Sequence, residues 1–246
     1  MASTRTVVVT GASSGIGRDV ARAFVARGDA VVLGGRDTAK LAEVAAELAA
    51  PDRVATVPGD IGDPATGAAY VRTALDRFGR VDVLVNSAGE FGATPFVEVT
   101  EAELDRYLAG NLKGTYFTTQ AVVRQLLAQG SGGAVVNIGT VLIDHAMTGL
   151  PASAALISKG GVHALTTSLA AELAPAGIRV NAVAAGIIRT PLFGAGDERA
   201  AAGAALLGRI GEVADTTAAV LYLAEAGFVT GHILPVDGGF ISGRAA

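Results

Sequence analysis

The sequence predicts an α/β fold: a doubly wound, mostly parallel seven-stranded sheet with helices on both faces. Three observations point to it. Short β-branched runs such as Thr6–Thr10 (TVVVT) alternate with longer segments of helical period. The runs are apolar throughout, as in strands covered on both faces. The first run enters the first helix through a glycine-rich turn. Right-handed crossovers between parallel strands then place helices on both sides.

Each element has its own signal. After the first strand, 16–27 reads as a helix with Val20, Ala21, Phe24 and Val25 on one face. Residues 31–33 form the second strand and 38–49 the second helix, with Asp37 as its N-cap. A third strand at 54–57 leads to a helix at 64–78. Residues 81–85 and 134–138 are apolar strands separated by one long helix over 101–129. A helix over 152–173, a strand at 178–183 and a last strand at 233–236 complete the pattern. The stretch 187–211 is Ala- and Gly-rich, with one charged cluster at Asp197-Glu198-Arg199. It reads either as a lid over a site or as a helical insertion packed on the surface.

Composition narrows the function. The chain of 246 residues suits one domain over 1–246, with 50% apolar residues and no compositional sign of disorder. A net charge of −4 leaves no basic footprint for nucleic acid. Zero cysteine excludes disulfides, Cys-ligated metal and a Cys nucleophile. The three histidines, His145, His163 and His232, make no pair at ligand spacing, so no metal site is expected. Mean hydropathy is high at +0.47, yet no apolar run approaches the roughly 20 residues that span a bilayer. Met1-Ala2-Ser3-Thr4-Arg5 runs straight into a strand, with no room for a signal peptide. The expectation is a cytoplasmic protein without membrane or nucleic-acid partners.

The turn after the first strand reads Thr10-Gly11-Ala12-Ser13-Ser14-Gly15-Ile16-Gly17. Glycines let backbone N–H groups approach a pyrophosphate, and a helix N-terminus adds partial positive charge. The spacing G-x-x-x-G-x-G departs from the G-x-G-x-x-G fingerprint, but its position after the first strand points to a nucleotide. The second strand ends in Gly34-Gly35-Arg36. An acidic residue at such a position binds a ribose 2′-hydroxyl, whereas an Arg accommodates a 2′-phosphate. Arg36 therefore favours NADP(H) over NAD(H).

With these residues in place, the chain resembles the short-chain dehydrogenase/reductase family over essentially its whole length. Thr10–Gly17 resembles the family's TGxxxGxG loop. Asp60-Ile61 resembles its pair beside the adenine, and Asn86-Ser87-Ala88-Gly89 its NNAG turn. Asn111 resembles the active-site Asn, Thr140 falls at the catalytic Ser, and Ser158-Lys159-Gly160 resembles the SKG that carries the catalytic Lys. Residues 181–191 resemble the segment near the nicotinamide, and Val236-Asp237-Gly238-Gly239 the VDGG ending. The resemblance implies a Rossmann-type domain and a cofactor held by Gly11, Ser13, Ser14, Gly15, Ile16, Gly17, Arg36, Asp60 and Ile61. Asn86, Ala88, Gly89, Lys159, Gly186, Ile188 and Thr190 complete that implied set. It also implies that Thr140 bonds the substrate oxygen, Lys159 the nicotinamide ribose, and Asn111 a water in the proton path.

The pattern breaks at one decisive place. The family has a Tyr four residues before the Lys, and this chain has Ala155. Thr140 stands for Ser and Ala185 for the Pro of the usual P-G pair. Loss of a positioned general acid typically costs about 10²- to 10⁴-fold. His145, after Asp144 in the loop between Thr140 and the Lys159 helix, is the candidate replacement, since an imidazole titrates near neutrality. Its alternatives are an exposed Asp-His turn, Lys159 acting through water in the space left by Ala155, or a substrate that needs no protein acid. His163 reads as a core or subunit-packing residue and His232 as satisfying a turn before the last strand; Tyr70, Tyr107, Tyr116 and Tyr222, placed on helices, read as packing residues.

The sequence thus points to an NADP(H)-dependent oxidoreductase of a ketone/alcohol pair or a related C=C or C=N substrate. The Ala- and Leu-rich 187–211 stretch hints at an apolar small molecule. Other readings stay open: a nucleotide-binding pseudoenzyme, an engineered Tyr-to-Ala variant of an ordinary ketoreductase, or a non-redox catalyst. The family commonly forms dimers or tetramers through its two long helices, here 101–129 and 152–173, so a homo-oligomer is expected.

Overall fold

The computed structural model describes residues 4–194 and 197–243. The start of the proposed leaderless N-terminus and two positions of the 187–211 stretch lie outside them. The strands are β1 (Thr6–Thr10), β2 (Ala30–Gly35), β3 (Val54–Pro58), β4 (Val83–Asn86), β5 (Gly133–Thr140), β6 (Ile178–Ala185) and β7 (Ile233–Val236). They form one seven-stranded sheet in the order β3-β2-β1-β4-β5-β6-β7. Every neighbouring pair is parallel, so the expected sheet is present and wholly rather than mostly parallel. The helices are α1 (Gly15–Ala26), α2 (Thr38–Leu48), α3 (Pro64–Phe78), α4 (Glu101–Tyr107), α5 (Gly114–Gln129), α6 (Ser153–Leu173), α7 (Glu198–Gly203) and α8 (Val213–Glu225).

Alternate side chains of each strand feed opposite layers, which is why the runs are apolar throughout. Val7 and Val9 join Phe24, Val220 and Leu223 beneath α1 and α8. Val8 joins Tyr70, Leu84 and Leu126 beneath α3 and α5. Local chemistry sets the helix ends. The Asp37 carboxylate accepts from Lys40 N at 3.0 Å, as expected of a cap. Asp63 caps α3 ahead of Pro64 at its first turn.

Two elements differ from the sequence reading. The single helix expected over 101–129 is divided by a wide π-helical turn at Leu108–Lys113. Such turns are rare and frequently mark functional sites. Helix α8 is an additional element, and it contains Tyr222, which the sequence places on a helix. Its apolar face closes one core layer beside α1.

Residues 187–211 leave the sheet after β6 and return to it. Ile188 and Gly211 form a parallel bridge, with Arg189 N to Gly211 O at 2.7 Å and Gly211 N to Ile187 O at 2.8 Å. Arg189 also pairs with Glu198 at the start of α7 and with Glu212 at 3.0 Å. The segment is therefore a loop with a closed stem, anchored beside the carboxyl end of β6.

The sheet also carries a steric commitment. Tyr70 is fully buried, and a Cβ on Gly34 would sit 2.5 Å from its ring. Gly34→Ala is expected to lower stability by about 1–3 kcal/mol, as overpacking of a closed core does. Urea unfolding of the variant beside the wild type checks this; an unchanged midpoint would mean that Tyr70 has room to move.

Candidate active site

The strand order reverses between β1 and β4, and ligands of open α/β sheets bind outside the carboxyl ends at such a point. A cavity of about 740 Å³ lies there. That size falls within the usual range for small-molecule and cofactor sites.

One wall is the turn between β1 and α1. Gly11 (φ +67°) and Gly15 (φ +52°) adopt the left-handed backbone that favours glycine. A Cβ on Gly11 would lie 2.8 Å from the Ala88 backbone, so only hydrogen allows this turn to touch the loop after β4. Thr10 Oγ1 ties the same two segments by accepting from Ser87 N at 3.1 Å and Ala88 N at 3.0 Å. Helix α1 begins here with no side-chain cap from Ser14 and no acidic residue in its first turn. The first N–H groups of a helix have no intrahelical partner, and here no side chain of Ser14 covers them. Such an arrangement is suited to an anion.

Most of the residues expected at the cofactor line this cavity. Gly11, Ser13, Ser14, Gly15 and Ile16 do so from the turn, and Arg36, Asp60 and Ile61 from the ends of β2 and β3. Ala88, Gly89, Gly186, Ile188, Thr190 and Lys159 line it from the opposite side. Two do not. Gly17 instead seats α1 on the turn, where a Cβ would lie 2.4 Å from Gly11 O. Asn86 is buried, and its Nδ2 donates to Thr119 Oγ1 and Asn137 Oδ1, each at 2.9 Å. Asn137 Nδ2 in turn donates to Thr166 Oγ1 at 2.9 Å, so Asn86 belongs to a polar ladder inside the protein.

The reacting end is built by β5, the π-turn and α6. Thr140 ends β5 at the cavity wall, and its Oγ1 accepts from Leu142 N at 3.3 Å. Lys159 Nζ donates to Ile138 O at 3.0 Å. Burial pushes the Lys159 ammonium down to about 8, because the charged form loses hydration. Asn111 is buried and fully engaged. Its Oδ1 accepts from Glu90 N at 2.7 Å, and its Nδ2 donates to Glu90 O and Ser158 Oγ, each at 2.9 Å. Ser158 Oγ donates to Ala155 O at 2.7 Å. Gly89 completes the corner, since a Cβ there would lie 2.9 Å from Lys159 Nζ and 3.1 Å from Asn111 Oδ1. Asn111, Thr140 and Lys159 thus meet at one end of the cavity, as the sequence predicts.

Ala155 leaves no room for a bridging water, and His145 follows the alternative of an exposed Asp-His turn rather than that of an acid at the site. No space is left at Ala155: it is fully buried in an apolar cluster with Tyr107 and Ala154, flanked by Phe91, Val99 and Leu104. Phe91 also lines the cavity and stands on the side of that cluster facing it. His145 is exposed, lies outside the cavity lining, and stacks edge-on against Phe240 at 5.2 Å between ring centroids. His163 packs as expected: a Cβ on Gly139 would lie 2.1 Å from its Nε2. Burial lowers the pKa of this imidazole, and Nε2 has no hydrogen-bond partner.

Comparison with known proteins agrees with this geometry. Residues 11–241 match the family described as "Enoyl-(Acyl carrier protein) reductase". The chain is 38% identical over 239 residues to galactitol 2-dehydrogenase (L-tagatose-forming) of Cereibacter sphaeroides, covering 94% of this chain and 93% of that one. It is 37% identical over 249 residues to L-rhamnose 1-dehydrogenase (NAD(P)(+)) of Azotobacter vinelandii, covering 96% of each. The chain belongs to the short-chain dehydrogenase/reductase family. A short-chain type dehydrogenase/reductase from Mycobacterium marinum superimposes with a TM-score of 0.92 at 31% identity, covering 97% of this chain and 96% of that one.

Within this short-chain dehydrogenase/reductase, sequence reasoning missed one charged group and one apolar wall. Glu90 lines the cavity directly after Gly89 and pairs with Arg36 at 3.0 Å and with Arg106 at 2.9 Å. An acid immediately after the glycine turn was the available signal. Leu142, Met147, Leu150 and Leu192 join Phe91 as the apolar lining. The stretch 187–211 adds Ile187, Ile188, Pro191 and Phe193 to Leu192 in that wall, in line with the apolar character read from it.

The shifted lysine has a measurable consequence. The unfolded chain holds the Lys159 proton up to about 10.5, and the folded chain only to about 8. Between these values the unfolded state binds more protons, so this group makes stability rise with pH. Urea unfolding from about pH 8 to 9.5 is expected to show a rise that Lys159→Met removes. An identical slope in the two proteins would mean that Lys159 keeps an ordinary pKa.

Proposed function

We propose that the chain is an NADP(H)-dependent oxidoreductase that interconverts an alcohol and a ketone of a small, largely apolar molecule, with related C=C or C=N substrates open to the same site. The observation that carries this reading is one cavity that holds an anion cradle, Arg36 and the Thr140–Lys159 pair together. The residues fit the cofactor. The uncapped α1 terminus and its glycine turn suit a diphosphate. Arg36, where a binder of the free ribose would carry an acid, suits a 2′-phosphate. The two relatives are named dehydrogenases of a sugar alcohol and a sugar, which supports chemistry at CH–OH.

The bound cofactor would supply the hydride or accept it. Every other role falls to the protein. Thr140 Oγ1 accepts from Leu142 N, which leaves its own hydrogen to donate to a substrate oxygen. Lys159 uses one N–H on Ile138 O and keeps two for the nicotinamide ribose and for a water. Asn111 holds no proton on this route; it positions the loop after β4 against α6. Ala155 brings no proton and His145 lies outside the cavity, so we assign the proton to Lys159 acting through water. A pKa of about 8 suits an acid–base group near neutral pH.

A second reading, a nucleotide-binding protein without turnover, draws on the sealed apolar cluster at Ala155. The two part in a steady-state assay of NADPH with a panel of apolar ketones. Slow reduction is expected, with kcat falling as pH rises through about 8, because the acid must be protonated. Lys159→Met is expected to lower kcat by about 10² or more, because it removes the assigned acid. Tight NADPH binding by the wild type with no turnover of any ketone supports the second reading instead.

The assembly is proposed as a homo-oligomer, dimer or tetramer, through α5 and α6. Tyr116 on α5 and Ile157 on α6 are 45% and 59% exposed, large apolar groups on the helices expected at the contact. Light scattering on the purified chain at micromolar concentration is expected to give a multiple of 24.5 kDa. The monomer mass alone would contradict it.

A further inference from the structure

We propose that Glu90 is a specificity-determining gate on the 2′-phosphate site, a carboxylate that holds Arg36 until a stronger anion takes it. The inference rests on the NADP(H) reading above. It starts from topology: β2 and β4 flank β1 in the sheet, Arg36 follows β2, and Glu90 lies in the loop after β4. Their ion pair, Nη1 to Oε1 at 3.0 Å, therefore spans the carboxyl end of β1, where the crevice opens. Both residues line the cavity.

The two partners are unequal. The Glu90 side chain is 29% exposed and Arg36 67%. Glu90 is fixed at its backbone, whose N–H and C=O both bond the buried Asn111 amide. Its second oxygen is held by Arg106 Nη1 at 2.9 Å. Arg106 is itself steadied over the Tyr107 ring at 4.6 Å. Arg36 is the movable member of the set.

A phosphate monoester carries about −1.5 to −2 charges near neutral pH and three acceptor oxygens, and Arg forms paired hydrogen bonds with it. Such a group outcompetes one carboxylate oxygen for Arg36. A 2′-hydroxyl carries no charge and does not. Glu90 also repels an anion placed between the two side chains. Arg106 opposes both effects by drawing the carboxylate away. Glu90 thus lowers affinity for every 2′-phosphate ligand while keeping Arg36 neutralised when none is present.

Isothermal titration calorimetry with adenosine 2′,5′-bisphosphate and with AMP tests this without turnover. The wild type is expected to prefer the bisphosphate, and Arg36→Ala to lose that preference. Glu90→Gln is expected to tighten the bisphosphate by about fivefold, the size of one partly exposed ion pair, and to leave AMP within twofold. Arg106→Ala is expected to act in the opposite direction, weakening the bisphosphate by about threefold. Adding Glu90→Gln to it should abolish that loss. Thermal unfolding of each variant shows whether the fold is kept, and the opposite signs of the two variants cannot arise from a common loss of structure. A Glu90→Gln protein with unchanged bisphosphate affinity, or with both probes tightened equally, overturns the gate while leaving the NADP(H) reading intact. Equal binding of both probes by wild type and Arg36→Ala overturns that reading and the gate with it.

Discussion

Three hydrogen bonds from one buried amide hold the reacting end together. Asn111 joins the loop after β4, through both polar groups of the Glu90 backbone, to Ser158 on α6. The π-turn at Leu108–Lys113 carries this residue between α4 and α5. Ser158 stands next to Lys159, and Glu90 next to Gly89. The amide therefore sets the spacing between the lysine and the wall opposite it. A buried polar group left unpaired costs about 1–3 kcal/mol, so this junction has one satisfied geometry and strong reason to keep it.

The nucleotide end depends on close backbone contact instead. Gly11 against Ala88 and Gly17 against Gly11 leave no room for a methyl group. These contacts bring the N-terminus of α1 to the crevice between β1 and β4. The parallel sheet supplies both ends at once, because all its strands deliver their carboxyl ends to the same edge. Catalytic roles can then be divided between short loops while the core stays apolar and rich in Val, Leu and Ala.

Much of this was legible in the sequence because it is set locally. Buried strands appear as unbroken apolar runs, and a strand–glycine–helix turn announces a cradle by spacing alone. Thr140, Lys159 and Asn111 were placed by their order along the chain. The errors arise where register or distant packing decides. Asn86 sits in a familiar-looking turn, but its place opposite Asn137 in the sheet turns its side chain into the interior. Between the two readings of His145, the contact with Phe240 decides for the exposed turn, and Phe91 closes over Ala155; neither contact has a local signature. The π-turn has none either, since one added residue per turn does not disturb the apolar period enough to show. Glu90 was overlooked because its meaning comes from Arg36 and Arg106, on two other elements.

Hydride transfer at this cleft is the central step of the proposed function. The most direct test incubates the purified protein with NADPH deuterated at the transferring position of the nicotinamide and a panel of apolar ketones. Mass spectrometry of the products then locates the label. The expected product is alcohol carrying one deuterium at the former carbonyl carbon, formed in step with cofactor oxidation. Bound cofactor that keeps its label through prolonged incubation with every ketone would contradict it.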